Sequence, residues 1–473
     1  MSLNRNALSF RKSTILTVCL LFAVFFSCKK DDYGDSSDVL LVVTDSVKFD
    51  TVFTSQGSAT RYFKIFNYDQ QRLHLDLVRL AGGSASSFQV NVNGIAGTEF
   101  SNIDIDGGDS IYCFVRVNID PTNAQNPFLV RDSIGIGYNG NTKYVQLLAY
   151  GQNAVYLDNP LITDDTTWTA TLPIVLLKNI TLPENKTLTI EKGTKIYCHA
   201  AAGLLVNGRL LANGDTAAVD RIQFTTDRLD EVDNVDYTKL AGAWPGLEFG
   251  AGSTGNILSY VTVQNAVHGI VDTLNASVPS TQKLALTGCI VQNNSGYAVL
   301  SRLGNLSVVN SLVANNGSGV GLYNGGQYSL IYNTLVGYGN LYVSHNMPSV
   351  IFNGSSSEPF QIVVRNCVLW GDNAALDNEI GVGTSSGTNT VIKIDHSLAR
   401  YSSLPSLVQL SDMLQNIDPD FLLVDNDKVQ YNFRLSVGSP CYGAAVTVDG
   451  IPYDLLGNKR NTLKPAIGCY ENP

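Results

Sequence analysis

Charge is scarce in this chain: of 473 residues only 15% are Asp, Glu, Lys or Arg, with a formal net charge of -10. No basic stripe stands ready to replace the counterions around phosphates, which excludes a nucleic-acid partner. Methionine is rare at 3 residues, while Gly (42), Asn, Thr, Ser and Val are plentiful, a balance that disfavours helices and favours strands joined by many turns. The eight cysteines occur singly without C-x-x-C spacing, which argues against a zinc or iron–sulfur site. No G-x-S-x-G, H-E-x-x-H, P-loop or dinucleotide fingerprint stands in a suitable context, so ordinary nucleophile, metalloprotease and nucleotide chemistries lack support.

What is present begins with a processing signal. A basic stretch (Arg5, Arg11, Lys12) precedes an apolar run from Thr14 to Phe26, then Ser27 and Cys28. The run falls short of the roughly 20 apolar residues needed to cross a bilayer. It resembles a bacterial lipobox, with Phe25 where Leu is preferred, and this implies that residues 1–28 are a signal peptide with Cys28 diacylated as an outer-membrane lipid anchor. Residues 29–38, Lys29-Lys30-Asp31-Asp32 followed by polar residues to Asp38, bury too little apolar surface to order themselves and read as a flexible tether. Lys followed by acids after the lipidated Cys is similar to the surface-export signal of Bacteroidetes lipoproteins, which implies display outside the cell.

From residue 39 to 152 about eight short alternating segments, among them Val47 to Thr54, Arg61 to Asn67, Leu73 to Leu80, Phe88 to Val92 and Ser110 to Asn118, have the spacing of an antiparallel sandwich. The runs Arg61-Tyr62-Phe63-Lys64-Ile65-Phe66-Asn67 and Val115-Arg116-Val117-Asn118-Ile119-Asp120-Pro121 resemble immunoglobulin-like domains of the HYDIN and abnormal-spindle type, which implies a spacer or interaction module.

Residues 153–473 change pattern. Leu188-Thr189-Ile190-Glu191-Lys192-Gly193-Thr194-Lys195-Ile196, Gly203-Leu204-Leu205-Val206-Asn207-Gly208 and Trp244-Pro245-Gly246-Leu247-Glu248-Phe249 follow the order of bacterial parallel β-helix proteins. Shorter echoes follow: Val261-Thr262-Val263-Gln264-Asn265, Cys289-Ile290-Val291-Gln292-Asn293-Asn294, Ser311-Leu312-Val313-Ala314-Asn315-Asn316, Asn333-Thr334-Leu335-Val336-Gly337 and Cys367-Val368-Leu369-Trp370-Gly371. Positions 263, 291, 313, 336 and 369 set a spacing of one coil per repeat, with Val, Ile and Leu stacked inside and Asn265, Asn293 and Asn315 at equivalent corners. The fold class expected is all-β: an immunoglobulin-like β-sandwich followed by a single-stranded right-handed parallel β-helix of the pectin-lyase-like kind. The end of the chain, Asp454-Leu455-Leu456-Gly457-Asn458-Lys459-Arg460 and Pro465-Ala466-Ile467-Gly468-Cys469-Tyr470-Glu471, is similar to the closing region of "choice-of-anchor Q" proteins, with Ala466 and Cys469 in place of that family's Asp and Ala. It is expected to cap the open end of the solenoid over residues 415–473. In an oxidising compartment a bridge between Cys441 and Cys469 is open, with buried free thiols as the alternative.

Two clusters carry the candidate chemistry. Asp227, Asp230, Glu231, Asp233 and Asp236 lie in an insertion able to bind calcium or wall a cleft, without the spacing of an EF-hand or nonapeptide calcium repeat; the competing reading is a solvated surface loop. Tyr323, Tyr328, Tyr332, Tyr338 and Tyr342, with Trp370, offer flat apolar faces for sugar rings, against the simpler reading of outward strand residues with no ligand. His268, His345 and His396 read as surface or turn residues, and strand alternation sets Asp395 and His396 on opposite faces. Catalytic residues are not identifiable. The leading functional reading is a surface lipoprotein whose β-helix binds an extracellular polysaccharide or surface protein without catalysis; the alternatives are a polysaccharide lyase or glycoside hydrolase, and a structural envelope spacer.

Overall fold

The computed structural model describes Tyr33 and residues 41–232, 235–273, 275, 277–355, 357–383 and 389–471. Cys28, the tether apart from Tyr33, and Asp233 therefore lie outside the described residues. The chain divides into two compact units. Within the described residues, the first comprises the chain up to Phe49, Gln56–Asp120 and Leu129–Ala149, and the second Asp50–Ser55, Pro121–Phe128 and the chain from Tyr150. No helix among the described residues is long and apolar enough to cross a membrane.

The first unit is a sandwich of two antiparallel sheets. One contains Leu41–Val42, Arg61–Asn67, Ser110–Val117, Phe88–Val92 and Ile95–Gly97; the other is built on Ser46–Phe53, Asn141–Gln152, Phe128–Tyr138 and Leu73–Leu80. In Ser110–Val117 every second residue is buried, from Ile111 through Cys113 and Val115 to Val117, so period-two patterning places one face inward. Phe49 and Phe88, from opposite sheets, meet with ring centroids 6.0 Å apart.

The second unit is a parallel β-helix. Eleven strands from Val155–Leu157 to Leu414–Gln415 pair in parallel as one face. A larger parallel sheet supplies the other two, which the long strands Tyr297–Val309 and Ser318–Ile331 join. Ile196, Phe224, Val263, Val291, Val313, Leu335 and Leu369 stand in register one above another. Each is at most 1% exposed, so the column forms a continuous core that no coil could bury alone. The column runs through Leu335 where the sequence echo pointed to Val336: Leu335 stands three residues after the corner at Tyr332, as Val313 does after Asn310 and Leu369 after Asn366.

The corners explain the asparagines. Asn265, Asn293 and Asn315 have φ of 67°, 55° and 52°, the left-handed region that Asn tolerates best after Gly. The side-chain ladder runs one residue further on: Asn294 Oδ1 accepts from the Ala266 amide at 2.8 Å and Asn316 Oδ1 from the Asn294 amide at 3.1 Å. A second corner column, Tyr260, Asn310, Tyr332, Asn366 and His396, also has positive φ.

The C-terminal region does not sit where a cap over the open end was expected. Phe433 of its hairpin Phe421–Asp425 and Gln430–Leu435, with Leu455, Ile467 and Cys469 beyond it, packs against Leu312, Val336, Val368 and Leu398 of four successive coils. Polar contacts fix it sideways: Tyr332 donates to the Val446 carbonyl at 2.7 Å, Asn366 exchanges two hydrogen bonds with Val446, and Arg460 donates to Asn310 Oδ1 at 2.7 Å. The outward Leu and Val of these strands needed a lateral cover, and the chain end supplies it.

Candidate functional site

Outward positions on the face next to the second corner column form rows across the coils. Asn305, Gln327, Gln361 and Val391 are paired in sequence from strand to strand, as are Ser307, Ser329, Val363 and Lys393. Successive side chains in a row stand one strand spacing apart, about 4.8 Å. They line a shallow depression of about 430 Å³. The lining holds amides, hydroxyls and one ammonium over an apolar floor of Leu306, Tyr328, Ile362, Val363 and Val391, and no carboxylate. Asn305 donates to the Pro279 carbonyl at 3.1 Å and Gln361 to the Asn389 carbonyl at 3.0 Å, which fixes the orientation of both amides. A sugar hydroxyl both donates and accepts, as a primary amide does, so a periodic row of amides matches a polymer that repeats its hydroxyls.

These residues were not singled out from sequence, yet a signal existed. Asn305, Gln327, Gln361 and Val391 each stand five positions before a corner residue of positive φ, namely Asn310, Tyr332, Asn366 and His396. Aligning the repeats on their corners instead of on the apolar triplets brings the row into view.

The tyrosine cluster is dispersed by the fold. Tyr328 points into the solenoid core, where its hydroxyl donates to the Gly325 carbonyl and accepts from the Gly304 amide, both at 2.9 Å; burial pushes its pKa up to about 12. Tyr332 and Tyr338 are buried under the C-terminal region, Tyr338 stacked on Phe433 at 5.7 Å, and Trp370 packs against the same cluster. As ligand-facing residues Tyr328, Tyr332 and Tyr338 are therefore corrected: left-handed corners and the lateral cover turn them inside. Tyr323 and Tyr342 remain half-buried, Tyr323 with its hydroxyl 2.7 Å from that of Tyr297.

The acidic insertion does not converge on a cation. Asp227 lies 2.7 Å from His199 Nδ1, Asp230 takes a bidentate pair from Arg228 at 2.7 and 2.9 Å, and Asp236 caps the turn at Thr238 and contacts Lys239 at 3.3 Å. Glu231 and Asp236 face each other across a two-residue-long antiparallel pairing. Among the described residues no group of three or more His, Cys, Asp or Glu side chains is placed to hold a metal ion.

The histidines are also committed. His345 was expected at the surface but is 5% exposed, with Nδ1 3.3 Å from Asp372 and Nε2 3.3 Å from Glu379. Burial works against its charge, but the two carboxylates prevail and hold its pKa above the ordinary value. Glu379 is itself buried and accepts from the Ser349 hydroxyl at 2.8 Å and amide at 3.0 Å. A shallow depression of about 480 Å³ lies beside this group, but both ring nitrogens already face carboxylates, leaving neither for a substrate. His396, with φ 45°, breaks the strand alternation and brings Nδ1 to 3.2 Å from Asp395, contrary to expectation; Asp395 is at the same time clamped by Arg365 at 2.7 and 3.0 Å. All six described cysteines are buried and free, so Cys441 and Cys469 are not bridged.

No protein-family model matches the chain, and no curated protein matches it. A solved structure to which part of the chain is similar is the family 123 glycoside hydrolase from Clostridium perfringens, studied for glycolipid glycan hydrolysis, at 9% identity and a TM-score of 0.17. That likeness covers 24% of this chain and spans only about a quarter (26%) of the hydrolase chain, and it carries no argument about fold or function.

Proposed function

We propose that this protein is a surface-displayed lipoprotein whose β-helix holds a neutral polysaccharide along the row of Asn305, Gln327 and Gln361, without cleaving it. The observation that carries the reading is the composition of that depression: repeated amides and hydroxyls at strand spacing, and no carboxylate. Glycoside hydrolysis calls for a pair of acids about 5–10 Å apart across the scissile bond. Uronate elimination calls for a base with a cation or basic groups to neutralise the substrate's carboxylate. Lys393 stands in the lining without acidic company, which supports positioning of a sugar over proton transfer.

The remainder of the reading rests on sequence. Cys28 carries the lipid in the outer membrane and residues 29–38 act as the tether. The sandwich of residues 39–152 serves as an immunoglobulin-like spacer of the HYDIN kind, and the chain's end follows the choice-of-anchor Q pattern. Calcium plays no part in the proposed contact. The test is a panel of neutral and acidic oligosaccharides titrated into the full chain in detergent, with and without calcium, alongside an assay for new reducing or unsaturated ends. Saturable binding of a neutral oligosaccharide, weakened about tenfold by Gln327→Ala with Gln361→Ala and accompanied by no products, is the expected result. Release of products, or binding indifferent to both substitutions, overturns it.

A further inference from the structure

The sandwich carries a second surface of different chemistry. On the outer face of its five-stranded sheet, Tyr62, Tyr112 and Phe114 are 49%, 41% and 37% exposed. Tyr62 pairs in register with Phe114, and Lys64 with Tyr112. Ring centroids lie 5.5 Å apart for Tyr62 and Tyr112 and 5.8 Å for Tyr112 and Phe114; the latter two are parallel to within 13°. Three large rings presented side by side on an outer sheet face form an apolar surface of the kind that marks a binding site.

Its charge selects the occupant. The five strands of this sheet contain no Asp or Glu, whereas those of the opposing sheet include Asp76, Glu99, Asp104 and Asp132. Two cations face outward among the rings: Lys64, whose ammonium is 4.8 Å from the Tyr112 centroid, and the exposed Arg116, two residues beyond Phe114 on the same side of its strand. In a chain of net charge -10, an acid-free aromatic face bearing only positive charge is a local exception.

We propose that this face binds a carboxylated saccharide, with a uronate ring lying on Tyr112 and Phe114 and its carboxylate held by Lys64 or Arg116. Aromatic faces take the apolar side of a pyranose, and a guanidinium matches a carboxylate bidentately. Two separated cations suit about one charge per sugar; a heavily sulfated polymer would call for a basic cluster that this face does not have. The site is independent of the amide row on the β-helix and does not rest on it.

Calorimetric titration of the full chain in detergent with a galacturonate hexamer, a maltose-series hexamer and a sulfated oligosaccharide of similar length is the test. Expected is saturable binding of the galacturonate hexamer that weakens with salt. Lys64→Gln with Arg116→Gln, and separately Tyr112→Thr with Phe114→Thr, reduce it about tenfold or more. Gln327→Ala with Gln361→Ala leaves it unchanged, which separates this site from the row on the β-helix. The charge variants replace exposed side chains by shorter neutral polar ones, so they report even where the aromatic pair disturbs folding. Absence of galacturonate binding, indifference to the charge variants, preference for the sulfated chain, or equal binding of the neutral hexamer by the Gln327→Ala, Gln361→Ala variant overturns the proposal.

Discussion

Substitution of Lys283 by Met would leave a carboxylate stranded in the solenoid. Lys283 and Asp272 are 0% exposed and 2.6 Å apart; Lys283 also donates to Asn275 Oδ1 at 2.8 Å, and Ser301 donates to Asp272 Oδ2 at 2.6 Å. With the ammonium gone, Asp272 keeps only uncharged partners, the Ser301 hydroxyl and the Asn275 side chain. Burial already pushes its carboxyl pKa up against the pull of Lys283. The variant's cheapest escape is to fold with Asp272 protonated. For a carboxyl of unfolded pKa about 3.9, uptake of that proton costs about 4 kcal/mol at pH 7 and about 1.5 kcal/mol at pH 5. The pH 7 figure agrees with the roughly 3–5 kcal/mol expected for breaking a buried pair by removing one partner. All three tryptophans of the chain (Trp168, Trp244 and Trp370) belong to the β-helix, so urea unfolding followed by their fluorescence reads this unit. Lys283→Met is expected to lose about 4 kcal/mol at pH 7 and about 1.5 kcal/mol at pH 5 relative to wild type at each pH. Adding Asp272→Asn, which stays neutral, should recover most of the loss at pH 7. A cost independent of pH, or a double variant no more stable than the single one, would refute the reasoning.

Protonated His345, held between Asp372 and Glu379 and near Arg400, gives a pH dependence of known sign. Because its folded pKa is raised, its contribution is complete below the ordinary histidine value of about 6.5 and vanishes as pH rises through the raised value. His268, lowered by burial and Arg302, works the other way, so the comparison is with His345→Gln: wild type should lose more stability than this variant between pH 6 and pH 8.5, and equal slopes would count against the cluster. The described thiols should resist alkylation in the native chain. Burial raises Cys113, Cys367, Cys441 and Cys469 to about 12 and Cys289 to about 11, so peptide mapping after brief iodoacetamide treatment should find all five unmodified until urea is added. Native modification of Cys441 or Cys469, or a disulfide between them, would contradict the packing of the C-terminal region.

Strand order, coil length and the inward Val, Ile and Leu of the β-helix were legible because each depends on local period: alternation marks strands, Gly and Asn mark corners, and repetition marks the solenoid. The tyrosines misled for the same reason. Spacing along the chain identifies a dense patch between residues 323 and 342, but which side of the strand each residue faces is reset at every left-handed corner, as at Tyr332 with φ 57°. The pairing of His396 with Asp395 was hidden in the same way. The acidic insertion looked like a cation site although Arg228 and Lys239 stand beside the acids in sequence, because their pairing with Asp230 and Asp236 needs the loop's folded shape; His199, 28 residues before Asp227, is brought in by the coil.

By itself the sequence determined an all-β chain of two parts, a sandwich and then a parallel β-helix, because both are written in short-range hydrophobic periodicity. Tertiary structure alone decided three things. The C-terminal region lies along the side of the coils, since only the assembled solenoid exposes the row of Leu312, Val336, Val368 and Leu398 that it covers. The amides of Asn305, Gln327 and Gln361 form one line, since residues 22 and 34 positions apart become neighbours only when coils of unequal length stack in register. The rings of Tyr62, Tyr112 and Phe114 share a face, since antiparallel pairing joins strands that lie almost fifty residues apart.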